Sequence, residues 1–419
     1  MSRYLTLSLA LSVILLASVA TSGAPPTPGS ARAQPNLGKK AADTLERELA
    51  RRMEGLRHEW GAGRTSVDRR GYPGITFAYC LPDGRCNSLA VGYSDLGNHV
   101  PMRGDDRMLA GSIGKTFAAA VIMQLVEEGK LRLDDPISNF LKQEPWFSRL
   151  GNAPDITVRM LLSHRSGIGG SGNVIQPAAS DFRKNHQRVW SYLDRLPLDQ
   201  PAKFPAGTKF EYRDENYDLV ALIIEKVTGD TYYTEVNRRV LIPLHLDGTY
   251  PQNNPSQRHL PGVVDGYQQR DDSMGLGTDI STNGTFVVSP SYEWGGGGFV
   301  SNSLDLAYWA RILYGGRMLK DATLSEMVAD ASTFAPTERY GLGVTIYETP
   351  WGNAYGHTGY MTGFRSAMLY VPKYDLALAL QTNTDYIVAS GTSHHMEAEL
   401  LLRALSSLTE VIAARSLQW

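Results

Sequence analysis

The chain has 419 residues, 42% of them hydrophobic and 20% charged. At about 100–200 residues per domain this allows two or three domains, or one large composite one, with a sizeable core. The 41 Lys and Arg against 43 Asp and Glu leave a formal net charge of −2, which excludes a strongly basic nucleic-acid binder and an acidic tail protein. Two cysteines can build neither a disulfide scaffold nor a Cys-based zinc site.

In chain order, Arg3 precedes an apolar run from Leu5 to Val19, and a Pro-, Ser-, Gly- and Ala-rich stretch follows to Ala33. This is the order of a bacterial-type secretory signal peptide, with cleavage after Ala24 or Ala33. Residues 1–33 are therefore expected to be signal peptide and spacer, and residues 34–419 a folded domain that is periplasmic or secreted. The apolar run falls short of the ~20 residues that span a bilayer, so no stable membrane span is expected once it is removed. Leu45, Leu49, Met53 and Leu56 then recur at helical spacing within Ala41–Trp60, predicting an amphipathic helix. Strands are predicted from Gly74 to about Val100. Within them Cys80 and Cys86 flank Pro82-Asp83-Gly84, strong turn chemistry, and face each other across a hairpin, as a disulfide or as two buried thiols.

Gly111–Gly129 reads as a helix with a buried Phe117–Ile122 run, closed by Gly129. Another helix begins in Ile156–Leu162 and ends near Gly167. From Gly169 to Asn283 short helices alternate with Pro-rich loops, and Pro251–Pro261 is loop. Leu304–Leu313 is helical; Gly341–Tyr347, Arg365–Val371 and Leu376–Thr382 are strands; Ser393–Leu408 is a closing helix. Strands at both ends and helices between them predict one sheet built from both ends of the chain, with a helical insertion over approximately 112–290.

Three short stretches could carry chemistry. In Ser112-Ile113-Gly114-Lys115 the Ser and Lys lie three apart at a helix start, on one face, where Lys can act as the base that activates Ser. The helix dipole there favours developing negative charge. A helix-capping Ser followed by a surface Lys would have the same spacing, but a nearly all-apolar helix follows and would partly bury the Lys. In Tyr212-Arg213-Asp214 the Tyr can shuttle a proton if a cation lowers its pKa; otherwise it is an ordinary helix-start Tyr with an Asp cap. His357-Thr358-Gly359-Tyr360 is a short polar run between two strands. It is either a β-turn or a place where a backbone N–H approaches substrate in oxyanion-hole geometry. There is no H-E-x-x-H spacing, and the adjacent His394-His395 point in different directions on a helix, so neither metal nor cofactor is expected. Gly295–Gly298 lacks the Lys-Ser/Thr of a phosphate loop and reads as a cleft wall or close backbone packing.

Taken together, S-x-x-K, Y-x-[N/D] and H-T-G in this order resemble the serine β-lactamase and penicillin-binding family, in its branch of class C β-lactamases, D-alanyl-D-alanine carboxypeptidases and related esterases. Met160–Gly167, Asn216-Tyr217 with Leu222–Glu225, Gly297–Ser301 and Tyr340–Gly343 are similar to that branch too. The resemblance runs from about Gly74 to Leu408. It implies an α+β fold: a β-lactamase-like antiparallel sheet flanked by helices, with an all-helical insertion and a cleft between them. It further implies Ser112 as nucleophile, Lys115 as its base partner, Tyr212 as relay to the leaving group, and the N–H groups of Ser112 and Tyr360 as oxyanion hole. His357, with Thr358 and Gly359, stands where many relatives carry Lys.

One departure matters. Relatives usually carry Asn where this chain has Asp214. By similarity that amide touches both substrate and the lysine, and an ionised carboxylate there can only accept hydrogen bonds. This disfavours β-lactam hydrolysis and fits a substrate with a free amine. Three readings follow: a secreted serine hydrolase of peptides or amides (D-Ala-D-Ala carboxypeptidase, D-aminopeptidase or β-lactamase-like), an esterase on the same scaffold, or a non-catalytic penicillin- or cell-wall-binding module. The expected partner is a small-molecule or peptide substrate, including cell-wall peptide, with no nucleic acid. Oligomeric state is not legible.

Overall fold

A computed structural model describes residues 39–61, 73–169, 188–252, 258–268, 277, 279–287, 289–329, 332–385 and 405–412, all within the unit Leu37–Trp419. The expected signal peptide and spacer and the His394-His395 pair lie outside the described residues. The chain opens with α1 (Lys39–Gly61), then the hairpin of β1 (Gly74–Cys80) and β2 (Cys86–Asp95), with β3 (Val100–Pro101) on its edge and β4 (Met108–Leu109) beyond. The helical part holds α2 (Gly114–Glu127), α3 (Ser138–Leu141), α4 (Val158–Leu162), α5 (Asp214–Thr228) and α6 (Tyr232–Val236). Short strands β5 (Tyr250–Pro251), β6 (Gly266–Tyr267), β7 (Asp279–Thr282), β8 (Thr285–Phe286) and β9 (Phe299–Ser301) lead to α7 (Ser303–Tyr314) and α8 (Asp321–Ala329). The chain then returns as β10 (Ser332–Ala335), β11 (Glu338–Tyr340), β12 (Thr345–Thr349), β13 (Gly352–Met361), β14 (Phe364–Val371) and β15 (Leu376–Thr382).

Both ends of the chain meet in one sheet of order β10-β11-β12-β13-β14-β15-β1-β2-β3. The β1–β15 pair, with Ile75 opposite Thr382 and Cys80 opposite Ala377, closes it. Period-two alternation sorts its faces. Ile75, Phe77, Tyr79, Leu376, Leu378 and Leu380 pack against α1 and helical residues 405–412. On the other face Ala78, Ala377 and Ala379 join the core shared with α2 and α7. These small side chains let α7 lie close to the sheet, where Thr76 Oγ1 and Ser303 Oγ are 2.6 Å apart.

Helix α2 is buried on nearly every side, as a helix apolar all round must be. It ends at Gly129 (φ +70°), whose N–H donates to Val126 while that of Lys130 donates to Leu125, the pairing of a Schellman stop.

Two small three-stranded sheets, β4-β9-β5 and β6-β7-β8, were not expected, and β5, β6 and β7 fall in the Gly169–Asn283 stretch that reads as short helices and Pro-rich loops. Runs of two to four residues paired with distant partners carry too little periodicity to announce themselves. Of the strand expected over Gly341–Tyr347 only Thr345–Tyr347 is strand, because Gly343 (φ +75°) turns the chain inward between β11 and β12 and its N–H donates to the Leu162 carbonyl at 3.2 Å.

Cys80 and Cys86 are register partners in the β1–β2 hairpin and form a disulfide. Arg85 O accepts from Leu81 N–H at 2.8 Å, so the turn is closed independently of the sulfurs. A loop this short gains little from cross-linking. Converting both cysteines to serine is expected to cost about 2 kcal/mol or less, measured by denaturant unfolding, and peptide mapping without reductant should recover the linked pair; two free thiols in exported protein would reject the bridge.

Candidate active site

The site is built around a charge in an apolar place. Lys115 is the second residue of α2 and has no solvent exposure. A buried ammonium is tolerated only when its protons are satisfied, and its three are. Nζ donates to Ser112 Oγ at 2.9 Å, to Asp214 Oδ1 at 2.5 Å and to the Gly296 carbonyl at 2.5 Å. Burial alone would depress its pKa, but Asp214, then Tyr212 and Glu293, outweigh that and hold it above the ordinary lysine value.

Each acceptor comes from a different segment. Ser112 lies in the 3₁₀ turn Gly111–Ile113 that leads into α2. Asp214 is the first residue of α5, whose first turn also carries Glu215; acidic residues suit the positive end of a helix. The Gly295–Gly298 tract brings the third, and its glycines answer to close backbone approach. A Cβ on Gly114 would lie 1.7 Å from the Gly297 carbonyl oxygen, and one on Gly295 2.2 Å from that of Tyr217. Of the two sequence readings of this tract, close packing describes it.

Tyr212 lies beside the pair, with Lys115 Nζ 4.9 Å from its ring centre. Its hydroxyl is buried without a hydrogen bond of good geometry to any described residue. Burial raises the phenol pKa, while Lys115 and Ser112 pull it down. The ring is held by aromatic neighbours: His164 at 4.2 Å, Tyr340 at 5.6 Å and Phe334 at 5.8 Å between centroids. His164 is itself fully buried at φ +55°. Its Nδ1 accepts from the Arg213 N–H at 3.2 Å and faces the Asn216 amide nitrogen at 3.1 Å. Burial, then Lys115, depresses its pKa well below the ordinary value, so it is a neutral post under the Tyr212 loop. Ser166 donates to Asn216 Oδ1 at 2.6 Å and extends that support.

His357-Thr358-Gly359-Tyr360 does not form a turn between strands; all four residues belong to β13. Pairing with β12 stops at Gly356, and beyond it the 3₁₀ turn of Ser112 packs against this strand. A Cβ on Gly111 (φ +54°) would sit 2.7 Å from Tyr360 N, and one on Gly359 1.9 Å from the Ala110 carbonyl oxygen. Two backbones thus meet without side chains between them, bringing the main chains of Ser112 and Tyr360 together. His357 Nδ1 donates to its neighbour Thr358's carbonyl at 2.6 Å, leaving Nε2 to accept from the Tyr340 hydroxyl at 3.0 Å. Burial, then Lys115, lowers its pKa to about 3. His357 is therefore uncharged at neutral pH and does not replace the cation of a lysine.

Sequence reasoning missed further acidic and basic groups here. Asp218, one turn beyond Asp214, pairs with buried Arg195, and burial raises its pKa to about 7. Burial and Asp214 raise Glu293 to about 7 as well. Only the Asp-x-x-x-Asp spacing of Asp214 and Asp218, two carboxylates on one helix face, was a usable signal.

Residues 43–402 match the Beta-lactamase family. The chain is 27% identical over 327 residues to Penicillin-binding protein 4 of Amycolatopsis lactamdurans, covering 74% of this chain and 81% of that one; it spans about three fifths of the length of other curated relatives. A D-stereospecific amidohydrolase from Streptomyces sp. superposes with TM-score 0.67 at 25% identity, covering 85% of this chain and 98% of that one. D-amino acid amidase from Ochrobactrum anthropi SV3, complexed with D-phenylalanine, shares the fold with TM-score 0.70 at 23% identity, over 86% and 99% of the two chains. The chain belongs to the Beta-lactamase family and is a serine hydrolase of that fold.

Proposed function

We propose that this protein is an exported serine amidohydrolase that cleaves peptide or amide bonds through an acyl-enzyme on Ser112. The observation that carries the reading is the 2.9 Å approach of wholly buried Lys115 to Ser112 Oγ. Neutral Lys115 would keep two protons for Asp214 and Gly296 and offer its lone pair to the Ser112 hydroxyl. As Oγ bonds to the substrate carbonyl carbon, its proton passes to Nζ, and Asp214 stabilises the ammonium that forms. The carbonyl oxygen becomes an oxyanion between the Ser112 and Tyr360 N–H groups. As the C–N bond breaks, Tyr212 relays the proton held by Lys115 to the leaving amine, and water then hydrolyses the ester on Ser112, returning a proton to its hydroxyl. The D-stereospecific amidohydrolase likeness supports amides of D-residues among the substrates. The leader over residues 3–33 supports export.

One observation favours an esterase as the second reading. The Asp214 ion pair stabilises charged Lys115, and a base that is scarce at neutral pH acylates most readily on esters, which have the better leaving group.

Ser112→Ala should abolish turnover of esters and amides alike, a loss of several orders of magnitude; a variant keeping more than about a tenth of the wild-type rate would sink the assignment. Mass measurement after exposure to a fluorescent penicillin should place the adduct on Ser112.

The second test is the pH profile. Because its pKa is held above the ordinary lysine value, Lys115 is a base only as pH rises, so acylation should climb into the alkaline range. Asp214→Asn removes the neighbouring negative charge and should move that rising limb about one unit or more toward acid. Penicillin acylation near neutrality should rise with it. An unchanged profile in Asp214→Asn would show that this ion pair does not set the basicity of the site.

A further inference from the structure

The acyl-transfer steps leave two buried acids of the site unused, Asp218 and Glu293. Glu293 follows the 3₁₀ turn Pro290–Tyr292 and is only 6% exposed. Among the described residues its side chain has no salt bridge of its own: Arg195 is committed to Asp218, and Lys115 to Asp214. Yet it is aimed at the site. Its Oε2 would lie 2.3 Å from a Cβ on Gly297, the same position that the Gly111 carbonyl oxygen borders at 3.0 Å. Glu293 thus lies along the backbone that carries Ser112, close enough to act on the charges of Lys115 and Asp214.

The charges do not balance. Lys115 and Arg195 face three acids, Asp214, Asp218 and Glu293; Glu215 also acts on Arg195 and Asp218 but is paired with Arg213, and the uncharged His164 and His357 and the phenols of Tyr212, Tyr233 and Tyr292 border the group. An excess buried anion is costly unless a proton or a cation neutralises it. Burial raises the pKa values of both Asp218 and Glu293 to about 7, so near neutrality a proton meets part of that excess. Asp218 is sealed, with a side chain 0% exposed, whereas that of Asp214 is 12% exposed. Of these two acids, Asp214 is the one open to a cation from outside.

We propose that the Asp214 and Glu293 carboxyl groups form a subsite for a protonated primary amine of the substrate, next to the bond that Ser112 attacks. The ligand class is an amino acid amide or a peptide with a free N-terminus. The proposal deepens the amidohydrolase reading and rests on it for the position of the scissile bond. Glu293 acts as a specificity residue: it exchanges its proton for an ion pair when the ammonium binds.

Binding and turnover test it separately. Ser112→Ala protein is titrated by calorimetry at pH 6.5 with D-phenylalaninamide and with its N-acetyl derivative, alone and combined with Glu293→Gln or Glu293→Asp. The free amine should bind about tenfold or more tightly than the acetylated amide. Glu293→Gln should remove most of that preference, and Glu293→Asp, which keeps the charge, should retain part of it. In the Ser112 background the same substitutions should lower the free-amine to N-acetyl ratio of kcat/KM, chiefly through KM. Equal binding of the two amides, absence of binding by the free amine, or a preference indifferent to Glu293→Gln overturns the subsite. Amine-selective binding that depends on Glu293, with no turnover of any amide, would uphold the subsite and overturn the amidohydrolase reading instead.

Discussion

A lysine ammonium with no access to water sets the terms for everything around it. Its three protons need three acceptors, and Ser112, Asp214 and Gly296 come from segments roughly 100 and 80 residues apart in the chain. Such a charge is destabilising unless the pairing is nearly perfect, so α2, α5 and the glycine tract cannot shift independently. The requirement reaches into the sheet as well. Trp309 of α7 donates to Thr116 Oγ1 at 2.8 Å, and Thr116 donates to the Ile113 carbonyl at 2.8 Å. The helix that covers the sheet thereby pins the turn that presents the nucleophile.

What the sequence disclosed and what it hid follow the range of the interactions. Ser112 and Lys115 are one turn apart, so their spacing alone placed them on one face. The central strands were legible because β1, β14 and β15 are seven or eight residues long and read as largely apolar runs. The H-T-G stretch, read as either a turn or an oxyanion-hole backbone, lies within strand β13, where Gly359 and the facing Gly111 let the Ser112 turn press against the strand. Gly296 and Glu293 act through positions fixed only by tertiary packing. No local pattern tells a carbonyl that receives an ammonium from any other, nor a buried glutamate from a surface one. The structure surrounds His164 with Phe210, Tyr212, Tyr217 and Tyr340; the identity of those rings depends on segments up to about 175 residues away.

Aspartate at position 214 changes the character of the site rather than its shape. An amide would hold Lys115 by hydrogen bonding alone, whereas a carboxylate adds a full charge. The cluster of Asp214, Asp218, Glu293, Lys115 and Arg195 becomes one electrostatic unit, in which moving a single proton alters every member. The neutral histidines 164 and 357 border this unit without joining its charge balance, which lets them hold aromatic rings in place across a wide pH range.

The pairing of β1 with β15 carries a consequence for how the molecule comes to exist. Ile75 and Thr382 are register partners, so the middle of the sheet cannot close until more than three hundred residues have been made. Until then β1 and β14 each present an open edge, and the faces of α1 and α7 have only part of their platform. Pairings of such long sequence separation form slowly, because the loop they close is entropically expensive. The nascent chain therefore spends its synthesis without a finished core, a state open to aggregation.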